Sequence, residues 1–157
     1  LSLLNKFYIM DIHNIFLQAH RGFAYLELLL VAVFLISLFI VMFAQAGNIS
    51  KLLRKSTLFT MIFFHVQFLI GLVMLFATSG FMNTIKEVGM GGLMKNAELR
   101  FSYIEHPFSM LIAAILMTIV NKKLKTAEKL PMSAFVLSII AIALFAYAIP
   151  FAKLFGA

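Results

Sequence analysis

Apolar residues dominate the chain in four stretches, each cut from the next by a short polar or charged run. The stretches cover residues 22–46 (GFAYLELLLVAVFLISLFIVMFAQA), 56–78 (STLFTMIFFHVQFLIGLVMLFAT), 103–120 and 132–152. About 20 apolar residues carry a helix across a bilayer core at 1.5 Å rise per residue, so each stretch has the length of one crossing. A helical lead-in is expected from about Ile12. The third helix is expected to open at Glu105-His106-Pro107, because a first turn has no use for the N–H that Pro107 lacks. Pro131 and Pro150 bracket the fourth. The connections, 47–55, 79–102 and 121–131, are short enough that each helix should run antiparallel to the one before. The predicted fold class is therefore an all-α membrane protein, one domain over residues 1–157, built as a four-transmembrane-helix up-down-up-down bundle. The middle connection, with Gly89, Gly91 and Gly92, reads as a loop.

Composition sharpens this picture. The chain is 63% hydrophobic and 12% charged, against about 25% charged in soluble domains, so its surroundings are expected to be a lipid bilayer. Cysteine is absent, which excludes disulfides, thiolate metal sites, iron–sulfur clusters and covalently attached haem. The net charge is +7, but the basic residues lie in runs between apolar stretches, as topology signals do, and nucleic acid is not an expected partner. Lys51, Arg54 and Lys55 fill the first connection and Lys122, Lys123, Lys125 and Lys129 the third. The positive-inside rule then puts loops 47–55 and 121–131 in the cytoplasm, and both termini and loop 79–102 outside a bacterial inner membrane. The first stretch is too long for a signal-peptide core and no small-residue cleavage site follows it, so it reads as a retained span. Met10 reads as the natural start, with residues 1–9 an upstream extension.

Ionisable side chains inside a span are expensive, at least ~2.5 kcal/mol for Asp, Lys or Arg, and mark candidate sites. His13, His20 and Glu27 are spaced by seven and share one helix face. Glu105 and His106 open the third helix at the same end, with Arg21, Tyr25, Arg100 and Tyr103 at similar depth. This cluster suits four roles: two-histidine ligation of haem, a transition-metal site, a quinone headgroup site, or self-pairing of Arg21 and Arg100 with Glu27 and Glu105. His65 lies ~14 Å in from the cytoplasmic side, and Gln67 is ~200° round the helix from it. An interhelical hydrogen bond of about 1 kcal/mol competes with ligation at His65.

Haem b held by two imidazoles needs histidines at equal depth on facing helices, which His20 and His106 provide. Arg21 and Arg100 would neutralise its propionates, and Glu27, Glu105 or Gln67 would handle quinol protons. Without haem, His13, His20, Glu27, Glu105 and His106 offer nitrogen and oxygen ligands, with Met110 a soft one. Phosphate loops and nucleophile elbows are missing, which removes kinases and hydrolases.

Three stretches carry a resemblance: His20-Arg21-Gly22-Phe23-Ala24-Tyr25, Phe64-His65-Val66-Gln67-Phe68-Leu69-Ile70-Gly71-Leu72, and Leu99-Arg100-Phe101 through Glu105-His106-Pro107. Together, over roughly residues 12–152, the chain resembles a family of small four-helix bacterial inner-membrane proteins whose members often bear the label "cytochrome b"-like. That resemblance implies haem. The family's first motif usually has an Arg before the aromatic residue, where this chain has Ala24, and Arg21 stands nearer the His.

Two functions are expected from this reading. One is a b-type-cytochrome-like subunit passing electrons between quinone and a partner complex of a respiratory chain. The other is a haem-free accessory subunit of a larger respiratory or transport complex, or of a homo-oligomer, whose buried polar residues act as interhelical glue. A small transporter or channel lined by His65, Gln67 and Glu27 is a third reading, and four helices leave it a narrow lumen unless the chain oligomerises.

Overall fold

The computed structural model describes residues 3–156. Residues 1 and 2 of the expected N-terminal extension lie outside them. Among the described residues every element is helical. Helix α1 (Leu3–Phe39) continues as a π turn (Ile40–Ala44), and α2 (Lys51–Val73) ends in another (Met74–Thr78). Helix α3 (Phe81–Lys95) follows. The short α4 (Ala97–Arg100) passes through a π turn (Phe101–Glu105) into α5 (His106–Thr126). Helices α6 (Met132–Ala148) and α7 (Phe151–Phe155) complete the chain.

Three helical stretches, Phe7–Ala44, Lys51–Thr78 and Ala97–Thr126, are long and apolar enough to cross a membrane. The expected fourth, α6, has 17 residues, ~25 Å of helix against a hydrocarbon core of ~30 Å. It stops short of residue 152 because Ile149 precedes Pro150 and is driven to extended backbone (ψ 120°) by the proline ring.

Two further boundaries differ from expectation. The third long helix begins at Ala97, where Asn96 Oδ1 accepts from the backbone N–H groups of Glu98 (3.0 Å) and Leu99 (3.1 Å), a side-chain cap for the first turn. Pro107 does sit in the first turn of α5, as expected, but helix runs on ahead of it without a break. Its ring and missing N–H are incompatible with an ordinary α-turn at that point, and the π turn Phe101–Glu105 immediately ahead of it is where the helix widens. The middle connection is helix rather than loop. Phe81 is buried, its ring 5.3 Å from Tyr103 and 5.9 Å from Phe76, and with buried Leu93 it anchors α3 at both ends. The glycine cluster acts locally: Gly89 takes φ +69° and ψ 166°, breaking the helix in its middle.

Helix α2 packs against both α1 and α5, and α6 packs on α5. Ser37 Oγ lies 3.1 Å from Ser56 Oγ, and Gln67 Nε2 donates to the His20 carbonyl at 2.7 Å. The late part of α1 thus meets the early part of α2, and the reverse, so the two run in opposite directions. Ser50 caps α2 by accepting from Leu53 N–H at 3.1 Å. The first and third connections are tied to each other. Leu130 N–H donates to Gly47 O (2.7 Å), Ile49 N–H to Glu128 O (3.1 Å), and Asn48 and Lys129 form an antiparallel bridge. Gly47 takes φ +80° there, and Ala46 before it φ +49°. Arg54 adds bonds to the carbonyls of Leu124 and Ala127, groups that the end of α5 leaves unpaired.

The interior is small-residue and polar to an unusual degree, the exterior apolar. Buried positions include Ala113, Ala114, Ala134, Ala141, Ala148 and Ser138 on α5 and α6, and Glu27, Ser37, Ser56, Thr57, Thr60 and Gln67 on α1 and α2. Small residues let helix backbones approach, and hydroxyls bond across them where lipid offers no competing partner. Phe34, Leu38, Leu53, Phe64 and Met117 fill the remaining core, Phe64 stacking on Phe145 at 4.9 Å. Outside, Leu29, Ile36, Phe43, Leu69, Phe76 and Phe108 are each more than half exposed, an arrangement suited to hydrocarbon and not to water.

Candidate functional site

At the end opposite the tied connections, α1, α2, the Phe101–Glu105 turn, α5 and the end of α6 enclose a cavity of about 550 Å³. His20, Arg21, Glu27, Gln67, Gly71 and His106 are on its wall. Most of the remaining wall is apolar, with Phe68, Leu72, Met110 and Phe145 among it.

The two imidazoles approach within 6.0 Å between ring centroids, with planes at 73°. His106 Nδ1 is 2.7 Å from the Ala148 carbonyl. A carbonyl only accepts, so Nδ1 carries the proton and Nε2 of the neutral ring holds a lone pair. That Nε2 makes no hydrogen bond and is not enclosed by protein. His20 has its Nδ1 enclosed without a partner, while its Nε2 is likewise unbonded and not enclosed. Gly71 faces this ring: a Cβ there would stand 3.4 Å from His20 Cε1, so the position leaves space beside the imidazole that a larger side chain would fill.

Gln67 and Glu27 flank the histidines. Gln67 is buried, and its bond to the His20 carbonyl (2.7 Å) fixes the amide so that Oε1 points elsewhere, enclosed and unpartnered. Glu27 is 2% exposed, with Oε1 enclosed and unpartnered. The cavity therefore carries three buried polar atoms, from His20, Glu27 and Gln67, whose hydrogen bonds are unmade. Such groups are rare in native interiors and ask for an explanation.

The other sequence candidates are engaged in bonds of their own, some on the cavity wall and some away from it. Arg21 does not pair with Glu27, as one reading expected. Its Nη2 donates to the Leu154 carbonyl at 2.8 Å, which the Tyr25 hydroxyl also reaches, fastening α7 to α1. Arg100 does pair with Glu105, Nε to Oε1 at 2.6 Å, and Tyr147 donates to the other carboxylate oxygen. Neither Arg100 nor Glu105 is on the cavity wall. His65 is exposed on the outer side of the α2–α5 seam, Nδ1 donating to Met61 O at 2.8 Å and Nε2 3.3 Å from Thr118 Oγ1. It is not on the cavity wall, whereas Gln67 turns inward. His13 is on the cavity wall but engages Thr78 Oγ1 at 2.8 Å. Lys153, not singled out from the sequence, also lines the cavity.

The donor set bears differently on the two kinds of group. Among the described residues no group of three or more His, Cys, Asp or Glu is placed to hold a metal ion. The protein-only metal site expected from His13, His20, Glu27, Glu105 and His106 is therefore not assembled, because Glu105 is bound to Arg100 and Tyr147 and His13 to Thr78. A haem needs only two axial ligands from the protein. Two neutral imidazoles with unbonded Nε2 atoms and centroids 6.0 Å apart are nitrogen donors of the kind such a group takes, and the rest of the wall is largely apolar. The residues fit that group.

The partner of His106 is a backbone carbonyl, and the space beside His20 is the lack of a side chain at Gly71. Neither leaves a motif in the sequence. No protein-family model, curated protein or solved structure matches the chain.

Proposed function

We propose that the chain is a four-span, up-down-up-down subunit of a bacterial inner membrane, similar to b-type cytochromes, with haem b between His20 and His106. It would pass electrons between quinone and a partner complex. The observation carrying this reading is the pair of imidazoles 6.0 Å apart with both Nε2 atoms unbonded and open. Bound haem would supply a one-electron couple; the rest of the work falls to the chain. The Ala148 carbonyl fixes the His106 ring and tautomer, as outer partners of metal-ligating histidines do. Gln67 pins the backbone that presents His20. Arg21 and Lys153 put positive charge on the wall, to face anionic carboxylates at the mouth. Glu27, with its carboxyl unbonded among apolar neighbours, is positioned to take up or give a proton from a quinol. The basic connections point to the cytoplasm, and the cavity to the outer side.

A second reading, a haem-free accessory subunit of a larger complex, draws support from the same polar groups. Gln67–His20, Ser37–Ser56 and His106–Ala148 already serve as bonds between elements. Visible spectra of the detergent-purified protein, oxidised and dithionite-reduced, separate the two. A Soret band lost in both His20→Ala and His106→Ala supports the cytochrome; a featureless spectrum from cells well supplied with haem overturns it and leaves the accessory subunit.

A further inference from the structure

The end of the molecule away from the cavity holds seven of the thirteen basic residues, Lys51, Arg54, Lys55, Lys122, Lys123, Lys125 and Lys129, against one acid, Glu128. It thus carries +6 of the net +7. Both ion pairs among the described residues, Arg100–Glu105 and Lys153–Glu98, lie at the opposite end. Within this basic end a pocket of about 260 Å³ opens between α2 and α5, walled by Arg54, Lys55, Leu58, Asn121, Leu124 and Lys125.

We propose that this pocket seats the phosphate of an anionic phospholipid. Two features favour a lipid over a soluble phosphate. First, one cation is preset: the carbonyls of Leu124 and Ala127 hold the Arg54 guanidinium in place, leaving other N–H groups of its fork for an anion. Lys55 and Lys125 are exposed and make no ion pair among the described residues, so they are available to close on it. Second, the pocket runs into hydrocarbon-facing surface. Leu58 and, one turn on, Ile62 are exposed on α2, and Ile115 and Thr118 on α5, with the His65–Thr118 contact marking the line where the two helices meet. A phosphate in the pocket would lay its acyl chains along that seam. Basic pockets between helices on the cytoplasmic side recognise lipid headgroups by this combination.

The test is native mass spectrometry of the full detergent-solubilised chain titrated with phosphatidylglycerol and with phosphatidylcholine of the same acyl chains. Lys55→Gln/Lys125→Gln is compared with Lys122→Gln/Lys129→Gln, which removes the same charge outside the pocket. The wild type is expected to bind phosphatidylglycerol more tightly. The pocket variant should weaken that binding about thirtyfold and the control variant far less. Equal binding of the two lipids, or equal losses in both variants, overturns the proposal. Displacement of the lipid by glycerol phosphate at matching concentration overturns it in favour of a soluble phosphate ligand. If the double variant does not fold, Lys55→Gln alone is read, with about fivefold weakening expected and an unchanged affinity counting against the site.

Discussion

The His106 imidazole donates through Nδ1 to the Ala148 carbonyl at 2.7 Å, linking the start of α5 to the end of α6. One ring thereby does two jobs, since the bond that joins the helices also leaves Nε2 free to face the cavity. The jobs separate by substitution. His106→Asn keeps a donor N–H near the Ala148 carbonyl but removes the open nitrogen, whereas His106→Ala removes both. Thermal unfolding in detergent should place the Asn variant close to wild type and the Ala variant lower by about 1 kcal/mol. Any haem absorbance should vanish in both. Equal loss of stability would show that the Ala148 bond contributes nothing.

Topology is open to a clean measurement because the chain has no cysteine of its own. Single substitutions Asn48→Cys and Asn83→Cys, each at an exposed position, are expected to label oppositely with a membrane-impermeant maleimide on intact cells. Asn83→Cys should react, and Asn48→Cys only after lysis. The reverse pattern would invert the orientation and put the cavity on the cytoplasmic side.

The Phe64–Phe145 stack (4.9 Å, 21°) joins α2 to α6 in the centre of the core. Phe64 is fully buried, so Phe64→Ala should leave a void and lower unfolding stability by about 3–5 kcal/mol. Phe64→Leu should cost less. Chemical denaturation followed by circular dichroism reads both.

Ser37 and Ser56 are both buried, with their hydroxyls 3.1 Å apart, and each hydroxyl is also within reach of a carbonyl of its own helix, Phe34 O and Leu53 O. Two protons serve these three contacts, so the bond between the helices forms only when one hydroxyl gives up its own carbonyl. A double-mutant cycle with Ser37→Ala and Ser56→Ala should therefore return a small coupling, about 0.6 kcal/mol. A coupling above roughly 1.7 kcal/mol would exceed what interhelical hydrogen bonds in membranes have given.

The three long apolar helices were legible because length and composition alone mark stretches able to span a bilayer. That His20 and His106 would lie close together also followed, from counting residues to the ends of the apolar runs. What escaped was set by backbone geometry. Pro107 marked the start of α5 correctly, but the π turn that lets helix continue upstream to Ala97 left no mark. Gly89, Gly91 and Gly92 signalled a loop, yet Phe81 and Leu93 hold helix on either side of a break at Gly89. Arg21 and Glu27 were paired by sign of charge, but the Leu154 carbonyl, invisible in a side-chain reading, takes the guanidinium. Inward Gln67 and outward His65 followed from their two-residue spacing, though which of the two would turn inward did not.

The backbone bonds between Gly47 and Leu130 and between Ile49 and Glu128, with Arg54 across α5, close one end of the molecule, while the cavity occupies the other. The cavity end is tied by single side-chain bonds instead, Gln67 to His20, His106 to Ala148 and Arg21 to Leu154. From Ser50 to Gly71 the distance along α2 is ~30 Å, so a tilt of roughly 5° about the basic end would move the wall beside His20 by about 2.5 Å. Such a tilt would break the bond from Gln67 to the His20 carbonyl, so that one amide sets how far the cavity can widen on this side.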